Sequence, residues 1–434
     1  MITPLDSWTQ ARISGKPGRL DRELLESYQL SRLNQTLAWA AANSPFYRKH
    51  LGGASRLSLN SPADLERLPF TRPQDLSAKG LDLLCLSQSD FSRVVTLPTS
   101  GTTGRAKRLY FTEEDLKRTV DFFGRGMSTF TEPGDKVLIL MPGNTPGSVG
   151  DLLEKALWGI KARPFQYGFV KDPIAALAGI KELKPEVLVG TPLDLLTLAR
   201  LNDLPQGTVK KVLLSADRSP VSLVRTIEKS LGCEVFDHYG MTEMGLGGAV
   251  ECKAKTGYHL READFYFEVI DPKTDASLEP GETGEVVFTT LTRKGMPLIR
   301  YRTKDLAAFP PLPCPCGSRL KRLSKIKGRI GSLIPLDQGE TLNPADLDEA
   351  LFSLPYLLDA SYSHSRTSEG PGLLITLYAL DASDKTLIQQ ARHKLKALPS
   401  LTRALRAGGL AFWEVKLDVK TALQRTGGKR KMNQ

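Results

Sequence analysis

Residues 209–240 read "VKKVLLSADRSPVSLVRTIEKSLGCEVFDHYG", and this stretch decides the fold. "VKKVLLS" is a buried strand, Ser219-Pro220 opens a helix, and "CEVFDHYG" is the next strand. Upstream the same unit recurs. "GDKVLIL" (134–140) is a turn and then a buried strand, "MPGNTPG" (141–147) is a loop, and a helix follows through Trp158. "KPEVLVG" (184–190) is another strand, after which Thr191-Pro192 opens a helix with a cap and a proline at its first position. Strands separated by helices in this order predict a mainly parallel sheet with helices on both faces. Such sheets bind ligands beyond the carboxyl ends of their strands. "MPGNT", "SADRS" and "DHYGMTE" all fall at that edge.

On either side the pattern changes. Residues 1–70 read as helical and polar-faced, ending in "SPFYRKH" and a proline-rich connection. Val94, Val95 and Leu97, then Leu109, Tyr110 and Phe111, read as two strands joined by the loop of "TLPTSGTTGRAKRLYF" (96–111). Thr112 with Asp115 three residues on is a capping signal for a helix reaching about Ser128. From about 257 the chain becomes β-rich: "FYFEVIDP", "GEVVFTTL" and "MPLIRYRT" alternate between turns, predicting a small barrel or sheet. Beyond "KIKGRIG" a separate tail carries a βαββαβ-like mixture. In it Asn343-Pro344 precedes a helix, "LLITLYAL" and "AFWEVKL" are strands, and 383–396 is a helix. The fold class expected is α/β. A large N-terminal domain (1–328) with mainly parallel sheets flanked by helices plus a small β-barrel is expected, and a small α+β C-terminal domain over 329–434.

A chain of 434 residues exceeds one ordinary core, in keeping with more than one domain. Its 41% hydrophobic and 25% charged residues are those of a globular protein in water. No apolar run approaches the roughly 18 residues of a membrane span, and Met1 to Arg19 lacks an apolar signal core. The expected setting is therefore cytoplasmic, with no membrane partner. The net charge of +11 suits either a polyanionic partner or scattered solvated side chains. Zinc-finger spacing, ribonucleoprotein aromatics and basic heptads are all missing, so a nucleic-acid partner is not expected. Five cysteines are too few, and odd in number, for a secreted disulfide scaffold.

The loop at 98–106 has the make-up of a phosphate cradle. Gly101 and Gly104 let main-chain N–H groups turn inward, Ser100, Thr102 and Thr103 add hydroxyls, and Lys107 adds a point charge. The P-loop spacing Gly-x-x-x-x-Gly-Lys-Ser/Thr is not present, and a plain flexible turn is the competing reading. "DHYGMTEMG" (237–245) offers Tyr239 to stack on a base and Glu243 to hold Mg²⁺, or simply a strand end with a satisfied acid. Asp305, in "YRTKDL", is an acceptor for ribose hydroxyls or a turn aspartate.

Taken together and in this order, these loops resemble the adenylate-forming superfamily of acyl-CoA synthetases, closest to the phenylacetate–CoA ligase family. "TSGTTGRAK" matches the family's phosphate loop and "HYGMTE" its adenine and magnesium motif. "GETGEVVFTTLTRKGMPLIRYRTKDL" matches its ribose-binding region and "KGRIGSLI" its hinge, and the likeness extends back to "NSPFYRKHL" (43–51). The resemblance implies an enzyme that adenylates a carboxylic acid with ATP and Mg²⁺ and passes the acyl group to CoA. An aryl or arylacetic acid is implied, and a homodimer is possible. A different acceptor (a carrier-protein thiol or an amine) and a catalytically silent nucleotide-binding relative are the alternatives. It further implies that Ser100, Gly101, Thr102, Thr103, Gly104 and Lys107 hold the ATP phosphates. Thr242 contacts phosphate, Glu243 binds Mg²⁺, and Tyr239, beside Gly240, packs on adenine in a pocket lined by Ser215, Ala216 and Asp217. Asp305 takes the ribose hydroxyls, Arg329 reaches ribose or phosphate, and Lys429 in "RTGGKRK" is the catalytic lysine.

Three positions depart from the family pattern: Ala106 replaces the usual phosphate-loop proline, Lys304 the ribose-motif glycine, and Gly331 the hinge aspartate. A second constellation lies around the cysteines. Cys314-Pro315-Cys316-Gly317 is compact, and Cys252 lies upstream with His259 seven residues on. Three thiolates and an imidazole are a closed tetrahedral zinc set with a structural role, and family members with a similar Cys-x-Cys turn support it. The competing reading is buried free thiols and a surface histidine. Cys85 and Cys233 read as core, and His50, His238, His364 and His393 have no evident partners.

Overall fold

The computed structural model describes residues 1–52, 58–97, 106–201, 203–367, 370–380 and 385–418. The chain forms two compact units, each interrupted in sequence: Met1–Pro133, Thr145–Lys161 and His238–Ile326 make the first, and Gly134–Asn144, Ala162–Asp237 and Lys327–Gln434 the second.

The second unit contains the parallel sheet. Its strands are Lys136–Leu140, Arg163–Gln166, Val187–Gly190, Lys211–Leu214 and the start of Glu234–Tyr239. All pair in parallel, and the spatial order, counted along the chain, is second, first, third, fourth, fifth. This is one of the two common doubly wound orders, with its switch point between the first and third strands. The register puts Leu140, Gly190, Leu214 and Asp237 in one row, so the loops after these four strands leave from the same edge. The inner strands are Val/Leu/Ile runs buried almost throughout, as a strand covered on both faces requires.

Between the first and third strands lie an edge strand, Arg163–Gln166, and a helix, Pro173–Leu183, that the sequence reading passed over. The helix is capped by Asp172, whose Oδ1 accepts from the Ile174 and Ala175 amides, with Pro173 at its first position. The helix after Leu214 starts at Val221, not with a cap from Ser219. The Ser219 hydroxyl turns to Asp237 at 3.3 Å, and the orphan amides of Val221 and Ser222 donate instead to the Glu349 carboxylate, each at 2.8 Å.

The C-terminal part of this unit has the helix Pro344–Leu351 and the antiparallel pair Leu357–Thr367 and Gly370–Ala379. The helices Lys385–Lys396 and Pro399–Arg406 follow, and then the strand Phe412–Asp418, parallel to Gly370–Ala379. One apolar core joins it to the parallel-sheet layer. Leu195, Leu198, Leu223 and Ile227 belong to the same buried cluster as Leu347, Leu351, Phe352 and Tyr362. Arg218 Nη2 reaches the Ala345 carbonyl at 2.9 Å and Asp348 at 3.3 Å, and Arg200 donates to the Phe352 carbonyl.

The first unit gathers the remaining elements. Strands Arg93–Leu97 and Lys107–Phe111 form an antiparallel hairpin with Leu97 opposite Lys107. The helix Glu113–Met127 follows with the expected box: Thr112 Oγ1 accepts from the Asp115 amide, and Asp115 Oδ2 from the Thr112 amide. The β-rich part builds two antiparallel sets, Ala249–Glu251 with Tyr258–Leu260 and Arg322–Leu323, and Phe265–Ile270 with Gly284–Thr290 and Tyr301–Ala307. The N-terminal helix Pro4–Ser14 is tied in by polar contacts. Trp8 Nε1 donates to Asp121 at 2.8 Å and Arg12 pairs with the buried Asp264 at 2.8 Å. Among the described residues no helix is long and apolar enough to cross a membrane.

Candidate active site

The strand Lys107–Phe111 brings its first residue to the turn that follows strand Glu234–Tyr239. Lys107 Nζ lies 2.8 Å from Glu243 Oε1, and the two side chains are only 15% and 6% exposed. The Tyr301 hydroxyl donates to the same oxygen at 3.0 Å. Burial alone pushes the Glu243 carboxyl up. The Lys107 ammonium, its hydrogen bond and the Tyr301 hydroxyl outweigh that and hold it below the ordinary carboxylate value. The result is a buried carboxylate with a cation and a hydroxyl converging on one oxygen.

The turn itself is a single 3₁₀ turn, Thr242–Met244, entered from extended Met241 and left through Gly245 at φ +63°. Thr242 is half-buried in it. Gly240, just before, has no room for a side chain: a Cβ there would sit 2.1 Å from the Leu246 carbonyl oxygen. Its place in the motif follows from this close approach of two backbones. Tyr239 is buried, and its hydroxyl donates to Asp305 Oδ2 at 3.1 Å. Asp305 sits within the register shift in the pairing of Gly284–Thr290 with Tyr301–Ala307, between the pairs Glu285–Leu306 and Val287–Arg302. There Lys304 adopts φ +67° and its amide donates to Glu285 Oε1 at 2.9 Å. The position thus needs the left-handed backbone that glycine takes freely, and the lysine adopts it at a cost of roughly 1 kcal/mol.

Lys107, Tyr239, Gly240, Thr242, Glu243 and Asp305 therefore all belong to the first unit, where hydrogen bonds join Lys107 to Glu243 and Tyr239 to Asp305. Ser215, Ala216, Asp217 and Arg329 belong to the second. Ser215 to Asp217 form the half-buried loop after strand Lys211–Leu214, with Ala216 at φ +75° and Asp217 Oδ1 accepting from the Arg218 amide at 2.8 Å. Arg329 is exposed, and its carbonyl accepts from Ser332. Ser100 to Gly104 and Lys429 lie outside the described residues. Tyr301 had escaped the sequence reading as a site residue. Its signal was present, since it opens the same "YRTKDL" run that supplied Asp305.

The cysteine cluster forms in the same unit. Cys252 follows strand Ala249–Glu251, His259 sits at the centre of Tyr258–Leu260, and Cys314 and Cys316 come from a tight turn closed by the Gly317 amide on the Cys314 carbonyl. All four are buried, with ligand atoms within 4.8 Å of one another. His259 is fully buried, which removes the surface-histidine reading. Cys252 Sγ to Cys314 Sγ is 3.6 Å and Cys316 Sγ to His259 Nε2 is 3.3 Å. Tetrahedral bonds of about 2.3 Å to sulfur and about 2.0 Å to nitrogen give edges of about 3.8 and about 3.5 Å, so the spacing fits four-coordinate zinc. Burial, with Arg322 adding to it, pulls His259 down to about 4, so the imidazole is neutral and able to ligate near neutral pH. Burial pushes Cys252 up to about 12, whereas Cys314, despite burial, is held below the ordinary thiol value by hydrogen bonds from the Cys316 main chain, Thr256 and its fellow cysteines. The turn also anchors the N-terminal helix: Ser318 Oγ and the Arg319 amide donate to Asp6 Oδ2 at 2.8 and 3.0 Å. His50, expected to lack a partner, contacts the Phe70 carbonyl through Nε2 at 3.1 Å and stacks on Phe46.

Residues 74–291 match the family model described as AMP-binding enzyme. The chain is 32% identical over 351 residues to a phenylacetate–coenzyme A ligase of Aromatoleum evansii, covering 78% of each chain. It is 29% identical over 354 residues to the enzyme of that name from Pseudomonas putida, covering 79% of each. Among solved structures it superposes on a 2-hydroxyisobutyryl-CoA ligase in its postadenylation state with a TM-score of 0.78, at 24% identity, over 94% of this chain and 88% of the other. That likeness speaks for the fold. The motif order, the paired Lys107 and Glu243, and these matches lead to one conclusion: the chain belongs to the AMP-binding enzyme family, alongside the phenylacetate–CoA ligases.

Proposed function

We propose that this protein activates an aryl or arylacetic acid with ATP and transfers the acyl group to CoA, releasing pyrophosphate and AMP. The reaction class is that of the relatives, and the aromatic acid rests on their name, phenylacetate–coenzyme A ligase. A carboxylate is a poor electrophile. One of its oxygens attacks the α-phosphorus, the bond from that phosphorus to the bridging oxygen breaks, and pyrophosphate leaves. The CoA sulfur then attacks the acyl carbon, AMP departs with the electron pair, and the thiol proton passes to solvent.

The observation that carries this reading is the pair formed by half-buried Lys107 and buried Glu243. Lys107 would exchange its carboxylate partner for phosphate oxygens, Thr242 would contact phosphate, and Glu243 would hold Mg²⁺. Glu243 and the substrate's own phosphates fit Mg²⁺, which favours one or two carboxylates among phosphate oxygens. Bound there, Mg²⁺ would neutralise charge developing on the phosphates. Tyr301 keeps the Glu243 carboxylate aimed. Within the first unit Tyr239 packs on adenine and Asp305 accepts from the ribose hydroxyls; Ser215 to Asp217, Arg329 and Lys429 keep the nucleotide roles that the family resemblance implies for them.

Residues 329–434 act as a mobile domain about the hinge "KGRIGSLI" (327–334), where Gly331 at φ +88° tolerates wide rotation. That motion has to part Arg218 from Asp348 and Glu349 from the Val221 and Ser222 amides. Cys252, His259, Cys314 and Cys316 hold a structural Zn²⁺. The test of the reaction is pyrophosphate release with ATP and Mg²⁺ across aryl, arylacetic and fatty acids, each with and without CoA. We expect release for one aromatic class that rises with CoA. Release indifferent to CoA would move the acyl group to another acceptor.

A further inference from the structure

Arg293 lies in "LTRKGM" (291–296), inside the run that resembles the family's ribose-binding region, but it is not among the site residues that resemblance implies. Its side chain is 7% exposed, and its ion pair among the described residues is a long one: Nε is 4.0 Å from Asp115 Oδ2, which already accepts from the Thr112 amide and hydroxyl. The guanidinium is spent on main chain. Nη1 donates to the Glu243 carbonyl at 2.9 Å, and Nη2 to the Tyr110 carbonyl at 3.4 Å. Cζ stacks 4.4 Å from the Phe111 ring centroid. One cation therefore joins the strand that carries Lys107, the cap of helix Glu113–Met127 and the turn that carries Glu243. The far end of that turn is pinned separately, by Thr119 Oγ1 donating to the Gly245 carbonyl at 2.9 Å.

A buried arginine bears a large desolvation cost, and a surface turn does not need one to close. A planar fork with donors in fixed directions can hold two carbonyls at once while its face lies on a ring; an ammonium cannot. We propose that Arg293 is a positioning residue for the adenylation step: it fixes the main chain at Glu243 and thereby the direction of the Glu243 carboxylate toward the metal. The inference rests on the reading of Glu243 as the Mg²⁺ ligand. Arg293 itself touches neither nucleotide nor acid.

The test compares Arg293→Lys and Arg293→Gln with the unaltered protein and with Glu243→Gln. The apparent Mg²⁺ constant is read from pyrophosphate release. Mn²⁺ affinity is read by electron paramagnetic resonance in the presence of an ATP analogue whose α,β bridge cannot be cleaved. Outer-sphere partners of metal ligands typically change affinity by about 10- to 100-fold, so Arg293→Gln should weaken both constants by about 10-fold or more, and Arg293→Lys by less. The rate at saturating Mg²⁺ should stay within about threefold. Folding is checked by melting temperature, and the lysine variant, which keeps the buried charge, carries the test if the glutamine variant does not fold. Unchanged metal constants in either folded variant, or a uniform fall in rate with those constants intact, would overturn the inference. If Glu243→Gln also leaves them unchanged, the metal-ligand reading of Glu243 falls instead.

Discussion

Around Glu243 and around Cys252 the first unit buries two clusters of ionisable groups, and their composition differs in kind. The Glu243 cluster contains its own counter-charge: Lys107 at 2.8 Å and the Tyr301 hydroxyl at 3.0 Å satisfy the carboxylate. The cysteine cluster holds four electron-pair donors, one of them a histidine that burial keeps neutral, and its members bring no cation of their own. A self-neutralised cluster is stable without a ligand and can trade partners when a polyanion and a cation arrive together. A donor-only cluster wants a permanent cation. The first arrangement suits turnover and the second suits a fastening, here at the turn that also grips Asp6 of the N-terminal helix.

The largest effect that would sharpen this contrast is on stability. Cys316→Ser should lose zinc and lower the melting temperature by the equivalent of several kcal/mol, because binding energy at a closed site is folding energy. Protein purified without zinc and melting like Cys316→Ser would break the contrast. A smaller effect belongs to the other cluster. Tyr301→Phe removes one hydrogen bond to a charged group, worth about 1.5–3 kcal/mol, and should slow pyrophosphate release by about tenfold or more while leaving zinc content untouched. A rate equal to the unaltered protein's would remove Tyr301 from the site.

The smallest effect is on pH dependence. His259 has a folded value of about 4 against an ordinary 6.5, so between those values the unfolded chain binds the extra proton. In the zinc-free protein its contribution to stability is complete above 6.5, declines as pH falls toward 4, and should be absent from the pH profile of a zinc-free His259→Gln variant. Identical acid-melting curves for the two proteins would show that the imidazole is not held neutral.

Much of the fold was legible because its signals are local. Thr112 with Asp115, and Thr191 with Pro192, announce helix starts within four residues, and the Val/Leu runs mark the inner strands. The edge strand Arg163–Gln166 was missed because one short, mostly exposed run carries no period to read. The helix after it was missed despite an Asp172-Pro173 start, a signal of the kind used elsewhere in the chain. The cap on Val221 and Ser222 was not legible at all, since Glu349 comes from a distant segment of the chain. The site divides the same way. Its motifs named Lys107, Tyr239, Glu243 and Asp305, while the pairing of Lys107 with Glu243 and of Tyr239 with Asp305 appeared only in three dimensions. Arg293 is invisible in sequence for a related reason: its bonds go to carbonyls, which every residue has.

The measurement that bears most directly on the proposed chemistry is acid-dependent exchange of pyrophosphate into ATP without CoA, made on the unaltered protein and on Glu243→Gln. We expect Mg²⁺-dependent exchange with an aromatic acid. In the variant it should fall by about 100-fold or more, as loss of several kcal/mol of charge stabilisation implies. Exchange undiminished in Glu243→Gln would contradict the role given to the pair of Lys107 and Glu243.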